Sequence, residues 1–592
     1  MKWIHTTIVL LLTSVSLSAA EKPKYALSLF HFNLQYVAGD FRIENRIIRQ
    51  SFLPLMKLLD QHPNWRINLE IQGWAFEVMQ ENHPEALALF KKLIERQQIE
   101  LTVAHYSDQF FLAYPALDMR RSIAISDQIL QDLGISRSRV FVAQEIQWSP
   151  ALPSVLKGNY DVIVTSSGPH SYYRPPTPPL VRARYAGKDM LVLIGGGKKD
   201  LKNLRWTWAF FDDGEVFNTT DYRSDFFRVP EQEKKNIARY QKLEAESYRF
   251  ITISEFVDIL KNDPDYRIPD YPYVPEGTWN MNQGGPYMWM GRQRSGVETD
   301  GFTRAICYRT RGRVLLAERV VEYIEKLGQR IQELREWLLK AWKHLLLSEV
   351  SDSSGWTPLL IEVRYTEDEA HKADLIVDTM LQNLADALKL HQTGYIVTTR
   401  DGRLQPVGQI KSRRLQPDAP PVPVFVRAES ARITCKRIAK GLWVLDIEAQ
   451  RPDDGAVEIA FPTAESGLIY SPPGGEEAQV EIPTDTKRDP ILALASGWIY
   501  LGNGMNLIKD TYVEHLAATW KREQQRLVFR EEMNENEPAL KMRFYLLQGQ
   551  PLQGRKLANA LNVWPTYYLF SLNGKIKTRR LRPEDKPFLL PQ

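Results

Sequence analysis

Ile67-Asn-Leu-Glu-Ile71, a helical pattern from Pro84 to Arg96, and Ile99-Glu-Leu-Thr-Val103 decide how this chain folds. A strand-like run, a helix and a second strand-like run make the unit of a parallel sheet, because parallel neighbours need a long crossover between them. The same alternation extends outward from about Tyr25 to Phe256. Its further runs are Ala26-Leu-Ser-Leu-Phe30, Val140-Phe-Val-Ala143, Asp161-Val-Ile-Val-Thr165, Met190-Leu-Val-Leu-Ile194, Trp206-Thr-Trp-Ala-Phe-Phe211 and Phe250-Ile-Thr-Ile253, with helix between them, as at Ser122 to Leu133. Seven or eight such units in roughly 230 residues favour an α/β barrel over an open sheet and put ligand chemistry at the C-terminal strand ends.

Residues 262–300 are rich in Pro, Gly, Tyr and Trp and read as a long ordered loop. From Arg313 to Leu347 apolar residues recur every three or four positions, a helix broken near Gly328. A second helix is expected to start at the capping pattern Thr366-Glu-Asp-Glu369. Gln416-Pro-Asp-Ala-Pro-Pro-Val-Pro-Val424 reads as a linker. Beyond it, runs such as Gly441-Leu-Trp-Val-Leu-Asp-Ile447 and Leu540-Lys-Met-Arg-Phe-Tyr-Leu546 predict an all-β, sandwich-like unit. The expected units are therefore 21–300 for the barrel, 301–415 for a helical region, 416–424 for the linker and 425–592 for the β unit.

Residues 1–20 have the pattern of an export signal: Lys2, the apolar run Ile8 to Leu12, then Ser18-Ala19-Ala20. This predicts a periplasmic or extracellular protein without stable membrane insertion. The chain has 592 residues, 43% hydrophobic and 25% charged, which excludes disorder for the chain as a whole. With 76 Lys+Arg against 72 Asp+Glu it offers no charge surplus for nucleic acid. The 2 cysteines, Cys307 and Cys435, exclude a disulfide framework. Aromatic residues are 11% of the chain, with 15 Trp and 25 Tyr, enough for a large core or for sugar-stacking platforms.

Two strands run straight into acids. One is Val140-Phe-Val-Ala-Gln-Glu145-Ile-Gln-Trp148-Ser-Pro150; the other is Trp206-Thr-Trp-Ala-Phe-Phe-Asp212-Asp213-Gly-Glu215-Val-Phe-Asn218. A carboxylate where a buried strand meets its loop is costly unless used or paired. Neighbouring acids raise one another's pKa, as a general acid requires. Two such strand ends in one barrel supply the carboxyl pair of glycoside hydrolysis; each alone is equally an ion-paired rim residue or an acidic turn.

At these positions the sequence resembles glycoside hydrolase family 57. Glu145, Trp148 and Pro150 match the spacing of the family's nucleophile motif, and Asp212-Asp213-Gly-Glu215-Val-Phe217-Asn218 is similar to its acid/base motif, with Asn for the final Gly. Gln97-Gln98-Ile99-Glu100, Ser351-Asp352-Ser-Ser-Gly-Trp356 and the segment from Gly277 to Trp289 look like further family elements, while His31-Phe32-Asn33 keeps only the His of the opening motif. Over residues 25–360 the resemblance implies an incomplete (β/α)7 barrel followed by helices, and action on α-linked oligo- or polysaccharides. It makes Glu145 the nucleophile and Asp213 the acid/base of a retaining reaction. His31, Trp74, His105, Trp148, Asp212, Glu215, Trp279, Trp289, Asp352 and Trp356 become candidates for substrate contact. No cofactor is implied. Related barrels, the polysaccharide deacetylases and family 38 mannosidases, hold zinc, but Asn33 stands where the latter need Asp, and no zinc ligand set can be assembled from local motifs. A barrel that binds polysaccharide without turning it over, and a deacetylase-like enzyme, are the alternative readings.

Overall fold

A computed structural model describes residues 21–588 except 104, 175–177, 220–226, 292–299, 329–331, 356–358, 534–538 and 587. The expected signal segment lies outside these residues. Among the described residues nine strands form the N-terminal part: β1 (Lys24–Phe32), β2 (Ile67–Ile71), β3 (Ile99–Thr102), β4 (Val140–Phe141), β5 (Val162–Thr165), β6 (Leu180–Tyr185), β7 (Lys188–Ile194), β8 (Arg205–Asp213) and β9 (Tyr248–Phe250). They make two arcs, β3-β2-β1-β8 with β9 also on β1, and β4-β5-β7-β6. All pairings are parallel except β6 with β7.

The alternation within each strand explains the arrangement, since successive side chains point to opposite faces. Leu27 and Leu29 of β1, Val140, Val162 and Val164 of β4 and β5, and Trp206 and Trp208 of β8 meet in one interior core shared by the arcs. Ala26, Phe30 and Phe32 of β1 face outward with Ile67, Leu69 and Ile71 of β2 and Ile99 and Leu101 of β3, against the helices. The other residues of β2, Asn68 and Glu70, therefore turn to the interior side although they are buried. The interior is apolar across β4, β5 and β8 and polar along β2.

Three long helices follow, Asp300–Lys326, Gln332–Ser348 and Leu360–Asn383. Gly328, at φ 76°, stands at the expected break between the first two. The third is capped at Leu359, nearly two turns before the expected cap. Thr366 lies inside it, and its hydroxyl donates to the Ser348 carbonyl at 2.9 Å. No described helix is long and apolar enough to cross a membrane.

The C-terminal region is antiparallel. A sheet of 8 strands and one of 5 enclose a core that includes Leu445, Ile459, Trp520 and Phe544. The segment 416–424, expected as a linker, contributes Gln416–Pro417 to the edge of the larger sheet and Val422 to the core. A third sheet joins Gly394–Thr398 and Leu404–Val407, inside the expected helical region, to Thr566–Leu572 and Lys575–Arg580. Its Val397, Tyr567, Leu569 and Ile576 pack into the core of the long helices. Cys307 and Cys435 are both buried and unpaired.

Candidate active site

The inward series of β1, Leu27 and Leu29, continues to His31 at the strand's C-terminal end. His31 stands opposite Glu70 of β2 on one side and Asp213 of β8 on the other. Strand spacing of about 4.8 Å sets these three side chains in a row across the sheet. The His31 Nδ1–H donates to the Glu70 carboxylate. Burial alone would lower the His31 pKa, but the charges of Glu70, Asp108 and Glu215 lift it well above the ordinary imidazole value. An imidazolium thus sits among carboxylates.

Asp213 ends β8, and the chain turns at once through Gly214. A Cβ on Gly214 would lie 2.4 Å from the Phe32 ring, so only glycine permits this close approach of β8 to β1. Beyond it Glu215 is fully buried and accepts the Asn33 backbone N–H.

Glu145 ends the β4 segment in a left-handed conformation, φ 56° and ψ 15°, and Ile146 follows at φ 46°. Two consecutive non-glycine residues in this region, one β-branched, cost on the order of 1–3 kcal/mol each. Surrounding bonds impose the geometry: Trp148 N–H donates to the Gly277 carbonyl at 2.7 Å, Gly277 N–H returns to Trp148 at 3.0 Å, and Trp279 N–H donates to the Glu145 carbonyl at 3.2 Å. The strained turn aims the Glu145 carboxylate at the cleft, where it accepts the Trp279 indole N–H and the Ser351 hydroxyl, the latter at 3.4 Å.

The loop after the second long helix completes the site. Arg304, fully buried, donates to the carbonyls of Val350 at 2.9 Å and Ser351 at 3.2 Å. The loop so held presents Asp352, which accepts Asn33 Nδ2 at 2.6 Å. Burial, then the Glu145 charge, pushes Asp352 well above the carboxylate range. Glu145 rises to about 7, first through burial, with Asp213 adding to it and the Trp279 and Ser351 bonds opposing. Asp213 rises to about 6 through burial, opposed by His31 and helped by Asp212. Near neutral pH the two therefore hold about one proton between them, titrating as a pair.

His31, Glu145, Asp213, Asp352 and Trp279 thus converge, with Trp279 47% exposed at the rim. Other sequence candidates lie elsewhere. Trp148 and Trp289 are 1% and 2% exposed. The first donates its indole N–H to Val274 at 3.1 Å and the second stacks on Phe110, so neither offers a ring face to a sugar. Trp74 packs half-buried on the helical core. His105 is buried against Phe111 with Nδ1 beside Gln109, and burial lowers its pKa to about 4, a neutral interior histidine. Asp212 faces outward with Phe210 and is exposed, and Glu215 braces the β1 turn rather than the cleft surface. Trp356 lies outside the described residues. Glu100 bonds Asn68 and Ser254 at the other end of β3. Sequence reasoning missed Glu70, Asp108 and Tyr36. Burial and the charges of Asp213, Glu215, Asp352 and Glu145 all raise the Tyr36 phenol. The alternation Ile67-Asn-Leu-Glu-Ile71, with polar residues at every second position of a buried strand, was the available signal for Glu70.

With this geometry in place, the comparisons with known proteins become specific. Residues 29–194 match the family model of glycosyl hydrolase family 57. The family 57 match contains His31, Glu70 and Glu145 and stops short of Asp213. Within the curated relatives, an alpha-amylase of Pyrococcus horikoshii is 28% identical over 120 residues, 20% of this chain and 19% of that protein. A 4-alpha-glucanotransferase of Thermococcus litoralis is 29% identical over 108 residues, 18% of this chain and 16% of that protein. The matched stretch is thus less than a fifth of either relative. An alpha-mannosidase from Enterococcus faecalis V583 shares the fold across 95% of this chain and 90% of its own, at TM-score 0.55 and 8% identity.

Proposed function

We propose that the chain is an exported enzyme that hydrolyses or transfers α-linked glucan by retaining double displacement. This reading takes the two arcs of parallel strands together as one incomplete (β/α)7-type barrel and the two large antiparallel sheets as a sandwich. The observation that carries it is the strained Glu145 turn, which spends backbone energy to place a carboxylate beside Asp213. In the first step a Glu145 oxygen attacks the anomeric carbon. The glycosidic bond breaks, and its electron pair leaves on the oxygen that takes the Asp213 proton. In the second step Asp213 removes a proton from water or a sugar hydroxyl, whose oxygen attacks the same carbon and frees Glu145. In the empty cleft the higher pKa belongs to Glu145, so the leaving-group oxygen must draw the shared proton to Asp213. Retention needs the carboxyls roughly 5–5.5 Å apart. His31, protonated, supports the ionised state of Asp213, and Trp279 offers its exposed ring to a sugar face.

A panel of α-linked glucans followed by NMR of the first-formed product tests this reading. The new reducing end should carry the α configuration of the bond cleaved; initial release of the β anomer would exclude double displacement.

The pH profile follows from the pair. Below about 6 a second proton binds and the nucleophile is lost; above about 7 the last proton leaves and the acid is lost. The profile of kcat/KM should be a bell centred between these values. Trp279→Phe removes a bond that lowers the Glu145 pKa, the higher of the two, so the alkaline limb should move to higher pH and the bell should broaden. An unmoved alkaline limb would dissociate Trp279 from the ionisation of Glu145.

A further inference from the structure

A groove of about 870 Å³ is lined in part by Gly284 and Tyr287, which follow Trp279 in the chain. Its sides are the helix Ser167–Tyr173, the segment 284–287 and the five-stranded C-terminal sheet. Small or apolar residues, Gly284, Ile491, Ala517, Thr519 and Val528, share its lining with polar and charged ones. Tyr172 and Tyr287 stand at its sides, each half-buried. Arg488 lies 4.8 Å over the Tyr172 ring and Arg530 lies 5.8 Å over that of Tyr287, which fixes both rings.

The walls are tied together rather than merely adjacent. Lys487 N–H donates to the Tyr173 carbonyl at 3.0 Å, and Ile491 N–H to the Tyr173 hydroxyl at 3.1 Å. Ile491 belongs to a strand paired with Ala518–Lys521, which carries Thr519 of the lining. The groove also shares both of its N-terminal walls with the cleft. A Cβ on Gly168, at the start of the helix that bears Tyr172, would lie 2.6 Å from the Trp279 carbonyl. Tyr172 is one turn further on, about 6 Å along the axis. The loop that leaves Trp279 reaches Gly284 and Tyr287 within eight residues.

Charge decides the class of ligand. Asp489 pairs with Arg522 at 3.4 Å and Lys521 at 3.9 Å, and Arg530 pairs with Glu532 at 3.2 Å. Cations at the groove are thus largely neutralised by their own neighbours, and acids Glu458, Glu465 and Glu523 share its rim. A polyanion would meet little free positive charge. A lining that mixes tyrosine rings and small apolar residues with donors and acceptors suits a neutral polyhydroxylated chain, whose C–H faces lie on the rings and apolar residues and whose hydroxyls meet the polar groups.

From this geometry we infer a second glycan site, one that holds a distant stretch of the same neutral α-glucan chain whose end lies in the cleft. The inference rests on the α-glucan reading of the cleft for the identity of the sugar. Two points of attachment on one chain raise affinity for long glucans and leave short ones unaffected.

The experiment compares wild type with Tyr172→Ala and with Thr519→Arg, which fills the groove without touching the helix. Neither residue belongs to the cleft chemistry. Each variant should lose retardation in an amylose-containing native gel. Each should also raise KM for soluble amylose roughly tenfold, with kcat/KM on a chromogenic maltotrioside unchanged. Unchanged amylose retardation and KM in both variants would overturn the site. So would equal losses on the long and the short substrate, or stronger retardation of wild type by dextran sulfate than by amylose. Wild type that turns over no α-glucan would instead refute the reading of the cleft, and the gel, which needs no turnover, would still report on the groove.

Discussion

Glu145→Gln should abolish turnover, with a fall in kcat on the order of 10⁴-fold or more, and Asp213→Asn should cost roughly 10²–10⁴-fold. The two losses differ in kind. Glutamine keeps the shape of the strained turn and can still accept the Trp279 indole N–H, but it cannot form the covalent intermediate. Asparagine leaves the nucleophile in place and removes the proton donor. Substrates with a good leaving group, such as an activated aryl glycoside, should therefore recover much of the first step in Asp213→Asn and none in Glu145→Gln. The double variant should be scarcely slower than Glu145→Gln, because the pair acts as a unit. Steady-state kinetics on natural and activated substrates separates these outcomes. Full activity in both single variants would remove the pair from the chemistry. Saturable glycan binding by wild type with no product would favour a barrel that binds without turnover.

Asp118→Asn should cost about 3–5 kcal/mol of stability. Asp118 and Arg311 are both fully buried, and Arg311 Nε donates to the two Asp118 oxygens at 2.8 and 2.7 Å. The guanidinium also donates to the Val563 carbonyl at 2.7 Å. The amide would leave a buried cation without a full counter-charge. Removing both charges, as Asp118→Leu with Arg311→Met, should cost less than either single change, because the desolvation penalty of both ions disappears. Denaturant titration of the three variants measures the difference; additive losses would mean that the pair does not interact.

Much of the N-terminal parallel α/β region was legible because its strands repeat one simple pattern. Buried strands separated by helices leave few alternatives, and acids at the ends of two of them stand out against apolar runs. Glu145 and Asp213 were visible for that reason. Glu70 was hidden because its strand alternates, and an alternating strand reads as half exposed when the polar half in fact faces a closed interior. Trp148 and Trp289 misled in the opposite sense. Sequence shows that a ring is present but not which way it turns, and both rings fill the wall behind the cleft. The Pro-rich segment 416–424 suggested a linker because proline cannot donate to a sheet. An edge strand tolerates proline, and Pro417 sits on one. The third sheet was illegible for a different reason: its strands lie far apart in sequence, Gly394–Thr398 beside Thr566–Leu572.

That last pairing sets the order in which the molecule can be made. The core around the long helices takes Tyr567, Leu569 and Ile576 from the final hairpin, and Arg311 holds the carbonyl of Val563. On a ribosome moving from the N-terminus, the helices emerge hundreds of residues before the strands that close over them. Until then an apolar face remains open to water and to neighbouring chains. Completion of the helical region therefore waits until synthesis has passed the hairpin of Thr566–Leu572 and Lys575–Arg580, and a chain that stops before residue 566 has no finished core around its long helices.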